Sequence, residues 1–253
     1  MRPDHSSLKP SLKLPPLPDE WTPLRPPTYL NGTSGHHLWR LKTLSGELIW
    51  RQSLQAPGAD PHREIQVLQA LQSYDWVPDL LFHTPKGDQL LRFYPGQHPE
   101  RTSLNSGQRL ALIQRLIQLW QTPAQLAAMD YSALILDYQQ QAQSQPQATL
   151  LAQALLNEVA AWSRPLNQLT HHDLHAQNLL LHDKTWMLLD WEYAAPGNPW
   201  IDAIALDRMW SLTSEEKQRL ETALPCLDIP HPWQQMHQWL DRLDQLWELA
   251  RQW

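Results

Sequence analysis

The chain reads as an α+β fold, a small antiparallel β part followed by a larger helical part, and three observations predict it. Apolar and β-branched runs separated by Gly, Asn and Pro turns crowd residues 28–96. Apolar residues then recur at helical spacing through most of 97–253. Within that helical part, residues 171–192, HHDLHAQNLLLHDKTWMLLDWE, place two short apolar runs beside a polar loop.

Residues 1–27 carry eight prolines, which block regular structure and predict an extended arm, laid on the surface or disordered. From 28 to 54, apolar stretches broken by NGTSG and LSGE predict a three-stranded meander. The turn Asn31-Gly32-Thr33-Ser34-Gly35 reads as an ordinary hairpin whose small residues also allow backbone to approach phosphates. PHREIQVLQALQ has apolar residues at 65, 68 and 71, a helix with Pro61 near its start and Glu64 in its first turns. Glu64 there is either a partner for a cation across the β part or a solvated acid favoured by the helix dipole. DLLFHT and DQLLRFYPG read as two more strands joined at Pro85-Lys86-Gly87-Asp88, and residue 96 closes the β part.

Beyond it, LNSGQRLALIQRLIQLWQ shows one stripe at 110, 113, 116, 117 and 120, the mark of a core-facing helix. Residues 130–162 give two helices around the polar break QQQAQSQPQ. NLLLH and WMLLD read as short buried strands with a turn at Asp183-Lys184, and Pro196-Gly197-Asn198-Pro199 reads as a turn before a helix that starts near Asp202. Residues 214–224 and 232–252 complete the helices, the last with Trp239, Leu243, Leu246 and Leu249 on one face.

Composition narrows the function. At 253 residues, with net charge −6 and a pI near 6.0, the chain lacks the basic face that nucleic acid requires. A single cysteine, Cys226, rules out an intrachain disulfide and suits a reducing compartment. The polar start MRPDHSS has no apolar signal core, and no apolar run is long enough to span a membrane. A soluble cytoplasmic protein, monomer or homodimer, is expected. The 14 tryptophans against 2 phenylalanines predict a tryptophan-rich core, with a few rings left to form a cation–π wall near a site.

His171, Asp173 and Asn178 form an HxDxxxxN loop, and Asp190 ends the following apolar run. Strand ends pin these groups so that they can converge, which is what phosphoryl transfer asks of a protein. One carboxylate orients the attacking hydroxyl and takes its proton, while an amide oxygen and a second carboxylate hold magnesium on the nucleotide. Asp173, Asn178 and Asp190 fit those jobs in order. Two plainer readings stand beside this one. An Asp-Asn pair is also ordinary turn chemistry, and the cluster His171, His172, Asp173 and His175 suggests a zinc hydrolase. Alternation along an extended loop argues against zinc, since it sends His171, Asp173 and His175 to one side and His172 to the other. His171 then reads as a packed strut and His175 as a second strut or a donor near the site.

The stretch 169–206, with LDWEYAAPGNPWIDAIAL after the loop, resembles the aminoglycoside phosphotransferase and choline kinase superfamily, whose members carry a similar HGDLHPGN loop, a DWE or DFE motif and a later Asp near a helix start. Its DWEYA version is most similar to the bacterial choline kinase and thiamine kinase branch. The resemblance implies a two-lobed, protein-kinase-like fold: a proline-rich arm at 1–27, a nucleotide-binding β lobe at 28–96 and a helical lobe at 97–253. It implies ATP and Mg2+ as cofactors and a small-molecule alcohol as acceptor. Arg51 falls where such kinases usually carry a lysine, with Glu64 as its partner. It is preferred to Lys42, which would force the first hairpin back into the proline-dense segment. Tyr94 falls at the hinge that meets adenine. Asp202 is assigned to bracing the loop or helix start, with substrate contact as the alternative.

Glu192, Trp191, Tyr193, Trp200 and Asp202 lie close enough in sequence to hold a cationic acceptor. The segment ALILDYQQQAQSQP resembles the short helical insert of bacterial thiamine kinases, which ranks thiamine first and choline or ethanolamine next. An aminoglycoside-type acceptor and a catalytically silent binding protein on the same fold are the remaining readings.

Overall fold

A computed structural model describes residues 12–31, 36–54, 60–100, 104–162, 166–182 and 185–251. Five antiparallel strands form the sheet: β1 (Thr28–Asn31), β2 (His37–Thr43), β3 (Gly46–Gln52), β4 (Leu80–His83) and β5 (Gln89–Arg92), in the order β1-β2-β3-β5-β4. The expected meander is thus present, and β3 runs between β2 and β5 with Arg51 opposite Leu38 on one side and Gln89 on the other. The residues of the NGTSG turn after Asn31 and the turn residues 183 and 184 lie outside the described residues.

Helix α1 (Pro61–Ala70) follows β3. Asp60 caps it by accepting from His62 N and Arg63 N, Pro61 occupies its first turn, and Glu64 is buried with Ile65, Val67 and Leu68. Trp39, Leu41, Leu48, Trp50 and Leu90 make the sheet's own core. Leu12, Leu14, Leu17 and Trp21 pack against it. The described part of the arm is therefore attached: Leu24 N donates to Lys42 O and Ser45 N to Glu20 O. Proline prevents a ladder there but not the burial of leucines.

The linker after β5 is pinned to the helical part. Gln97 and Leu181 exchange backbone hydrogen bonds of 3.2 and 2.9 Å. A Cβ on Gly96 would stand 2.7 Å from Leu181 O, so only glycine lets the linker pass this close.

The helical part holds α2 (Ser106–Gln121), α3 (Tyr131–Gln141), α4 (Pro146–Ala160), α5 (Trp200–Trp210), α6 (Ser214–Glu221) and α7 (Pro232–Ala250), as the periodicity predicts. Asn105 and Gln108 form a capping box on α2, and Thr213 and Glu216 one on α6. Two short hairpins sit among these helices: β6 (Gln168–Thr170) with β9 (Ala195–Gly197), and β7 (Leu179–His182) with β8 (Thr185–Leu188). Here one expectation is corrected: Pro196 and Gly197 belong to β9, paired with Leu169 and Gln168, rather than to a turn. No helix among the described residues is long and apolar enough to cross a membrane.

Candidate active site

The polar loop hangs between the two hairpins. β6 delivers it at Thr170 and β7 takes it up at Leu179. Leu189 N donates to Asn178 O at 2.8 Å, which extends the β7–β8 ladder by one rung and sets Asn178 beside Asp190.

His171 is fully buried under the loop. Its Nε2 donates to Leu189 O at 2.9 Å, its ring lies 4.7 Å from that of Trp191, and burial lowers its pKa to about 4. Asp202, in the first turn of α5, has no exposure. One of its oxygens accepts from His171 N at 2.9 Å and Trp120 Nε1 at 3.1 Å, and the other from His172 N at 3.0 Å. Burial raises its pKa to about 6, against the pull of these bonds. Its oxygens face the loop backbone, and this geometry leaves no room for substrate contact.

The alternation expected along the loop fails at one residue. His172 has φ 67°, in the left-handed region, so the chain does not continue extended from His171 to Asp173. His171 turns inward, whereas the Asp173 and His175 side chains keep 36% and 45% of their surface, with His175 Nε2 3.7 Å from Asp173 Oδ2. Asn178 Nδ2 donates both to Asp173 Oδ2 at 3.0 Å and to Asp173 O at 2.9 Å, which holds the carboxylate and frees the amide oxygen. Burial, then the charge of Asp190, pushes the Asp173 pKa up to about 7, and the Asn178 hydrogen bond opposes the shift. A carboxylate so placed is a base poised near neutrality.

From the sheet side, Arg51 reaches into this cluster. The residue is 5% exposed. It donates to Glu64 Oε1, donates to Asp190 Oδ1 at 2.7 Å and lies 3.8 Å from Glu192 Oε2. Burial alone would lower its pKa, but the charges of Glu64, Asp190 and Glu192 outweigh that and raise it. Glu64 also accepts from Trp191 N at 3.1 Å and Gln89 Nε2 at 2.7 Å. The rival Lys42 is exposed on β2, with Glu47 opposite it. Tyr94 lies on the linker after β5, half-buried, its hydroxyl accepting from Asp79 N at 3.4 Å and its ring edge-on to His182.

His36 joins the site without any local sequence signal, from 156 positions before its partner. Its Nδ1 accepts from Leu54 N at 3.1 Å, so its Nε2 carries the hydrogen and donates to Glu192 Oε2 at 2.9 Å. Among the described residues, His36, Asp190 and Glu192 form a group with donor atoms within 4.8 Å of one another, and the cluster His171, His172 and His175 forms none. With His36 acting as a donor, oxygens remain: the Asp190 and Glu192 carboxylates and the Asn178 amide. Such a set fits a hard cation such as magnesium and not zinc.

Three residues expected near the acceptor are placed otherwise. Trp200 is 4% exposed, donates Nε1 to Pro225 O at 2.9 Å and packs edge-on against Trp233. Trp191 is wholly buried and donates Nε1 to Leu188 O. Both are core residues, because α5 and the β8–β9 connection are covered on nearly every side. Glu192 is 5% exposed and held between His36 and Arg51, which leaves no open face for a cationic acceptor. The aromatic rings that feel the Asp173 charge are Tyr138 of α3 and Tyr193; burial and then nearby groups, Asp173 among them, raise both phenol pKa values.

No curated protein matches the chain by sequence. By structure it is similar to the choline kinase LicA from Streptococcus pneumoniae, at 17% identity and a TM-score of 0.69, covering 90% of this chain and 86% of that one. LicA in complex with AMP gives 18% and 0.68 over 88% and 82%. A macrolide 2'-phosphotransferase type I gives 15% and 0.63 over 90% of each chain. These likenesses establish the kinase-like α+β fold. Residues 29–224 match the model of the phosphotransferase enzyme family, abbreviated APH, and that match spans most of the chain and includes His36, Arg51, Glu64, Asp173, Asn178, Asp190 and Glu192. The chain belongs to the phosphotransferase enzyme family.

Proposed function

We propose that the chain is an ATP- and magnesium-dependent kinase that phosphorylates the hydroxyl of a small cationic alcohol, with thiamine the first candidate and choline or ethanolamine the second. The observation that carries this is the convergence of Asp173, Asn178, Asp190 and Arg51 where the sheet meets the polar loop. In this reading residues 28–96 receive the nucleotide, with the linker at Tyr94 beside adenine, and residues 97–253 receive the acceptor.

Asp173 accepts the hydroxyl proton as the oxygen attacks the γ-phosphorus and the bond from that phosphorus to the departing ADP oxygen breaks, and the Asn178 amide keeps that carboxylate aimed. Arg51 binds phosphate oxygens with the N–H groups that Glu64 and Asp190 leave over, a guanidinium having five donors. The oxygens of Asn178 and Asp190 would hold magnesium, which when bound would neutralise phosphate charge. With Trp191, Trp200 and Tyr138 all in the core, a cationic acceptor would lie against Tyr193, which is half-buried and in the field of Asp173.

The test is ADP release from ATP by the purified chain, with and without magnesium, across thiamine, choline, ethanolamine, an aminoglycoside and a neutral sugar. Magnesium-dependent transfer to a cationic alcohol above the neutral one is expected. Transfer confined to the aminoglycoside moves the acceptor assignment, and nucleotide binding with no transfer to any of them supports a silent binding protein instead.

A further inference from the structure

His172 adopts φ 67°, a conformation that glycine enters freely and a residue with a Cβ enters at a cost. Glycine would hold the loop backbone there without strain, so the imidazole must supply something the backbone alone does not. Its ring is the middle of a hydrogen-bond chain. Asn198 N donates to Tyr131 Oη at 2.6 Å, Tyr131 Oη donates to His172 Nε2 at 2.6 Å, and His172 Nδ1 donates to Tyr193 O at 3.1 Å. Gly197 makes room for the chain, since a Cβ at that position would collide with Tyr131 Oη and stand 2.7 Å from His172 Nε2.

The groups at the two ends matter. Tyr131 is the first residue of α3, the helix that carries Tyr138, and the Tyr193 carbonyl belongs to the residue whose ring lies in the field of Asp173. His172 itself precedes Asp173. One imidazole therefore joins the base to both elements that flank it on the helical side.

We propose that His172 is a positioning residue for the acceptor side of the site, holding α3 and the Tyr193 segment at a fixed setting relative to the Asp173 carboxylate. The proposal rests on the kinase reading above. It acts through Asp173 and the two tyrosines, and it leaves the nucleotide contacts of Arg51 and Asp190 alone.

The variants are His172→Gly, which keeps the backbone conformation and removes the ring, and Tyr131→Phe, which keeps the packing against Trp162 and Trp239 and removes the hydroxyl. The measurement is ADP release from magnesium–ATP with choline or thiamine, whichever the wild type turns over faster, together with calorimetric binding of magnesium–ATP and thermal unfolding. Misplacement of a reacting pair by a fraction of an ångström to an ångström costs up to about 100-fold, so kcat is expected to fall about 10- to 100-fold in His172→Gly. The affinity for magnesium–ATP should stay near wild type, and the unfolding temperature should drop only by a few degrees, since the Tyr131 hydroxyl and the Tyr193 carbonyl lose a partner while the fold is kept. The double variant should be no slower than His172→Gly alone, because both changes break one chain. Wild-type kcat in a folded His172→Gly, or losses in the two variants that multiply, overturns the positioning role while the kinase reading stands. A wild type that binds magnesium–ATP and transfers to neither acceptor overturns the kinase reading, and this inference with it.

Discussion

Replacing Arg51 by Ala tests the site where its geometry is most demanding. Arg51 is the cation that faces Glu64, Asp190 and Glu192, and the Glu64, Asp190 and Glu192 side chains keep only 2%, 10% and 6% of their surface. Deleting one partner of a buried ion pair strands the other, which costs about 3–5 kcal/mol. For a chain of this size each kcal/mol moves the unfolding temperature by about 2–4 °C, so Arg51→Ala should melt about 6–20 °C lower. Millimolar magnesium should recover part of that loss in the variant and do less for the wild type, because a cation bound at Asp190 would replace the missing charge. Lost charge-assisted hydrogen bonds to phosphate, at about 1.5–3 kcal/mol, should also weaken ATP binding by about 10- to 150-fold. Lys42→Ala, an exposed change, should stay within about 0.5 kcal/mol. Thermal unfolding with and without magnesium, and nucleotide calorimetry, read both effects. An Arg51→Ala variant as stable as the wild type, or a larger effect from Lys42→Ala, refutes the arrangement.

Substitutions at three more positions, Asp173, Asp190 and Tyr193, test the same geometry. Asp173→Asn should lower turnover by about 10²–10⁴ in steady-state assays. Because the folded pKa of Asp173, about 7, lies above its ordinary 3.8, the folded state holds the proton more tightly. Wild-type stability from this group is thus lost as pH rises from 4 through 7, so Asp173→Asn should gain on the wild type across that window in denaturant titrations; an unchanged gap from pH 4 to 8 contradicts the raised pKa. In the wild type, acceptor kcat/KM should fall as pH drops through the Asp173 pKa, which a cation held at Asp190 would move below its value in the free chain. Asp190→Ala should abolish the magnesium dependence of ATP binding, and a dependence that survives in calorimetry places the cation elsewhere. Tyr193→Leu should raise KM for a cationic acceptor by about 2- to 30-fold, the reach of about 0.5–2 kcal/mol of cation–π contact, while Trp200→Phe should leave it unchanged; the reverse order returns the cation wall to Trp200.

What the sequence discloses follows from the range of the interactions involved. The five strands of the sheet, the seven α-helices among the described residues and the convergence of Asp173 with Asn178 and Asp190 depend on periodicity and on spacing within 18 residues, so they are legible. The pairing of Arg51 with Glu64 is also local, one strand and one helix apart. His36 is different: nothing near it announces Glu192, and only the assembled fold brings them to 2.9 Å. Trp191 and Trp200 look like site residues because they adjoin a motif, yet adjacency along a strand end or a buried helix says nothing about which way a ring faces. The loop alternation fails for a further reason. A left-handed residue is invisible in a polar string unless glycine marks it, and here the position holds His172. The arm is half legible: eight prolines forecast an extended segment laid on the surface, but the leucines between them decide where Leu12, Leu14 and Leu17 go.

The segment Asp190 to Glu192 is the seam of the molecule, and its polar contacts explain why one substitution at Arg51 reaches so far. From the sheet side Arg51 bonds Asp190, His36 bonds Glu192, and Glu64 accepts from Trp191 N. From the loop side Asn178 stands one rung away, and Asp173 feels the charge of Asp190 strongly enough for it to rank next after burial in raising its pKa. A cation or a phosphate arriving at Asp190 therefore changes the field at Asp173 directly, lowering its pKa when positive charge is added. On the kinase reading, a cation held at Asp190 would favour the ionised form of Asp173, the form able to take a hydroxyl proton, whereas the phosphates alone would oppose it.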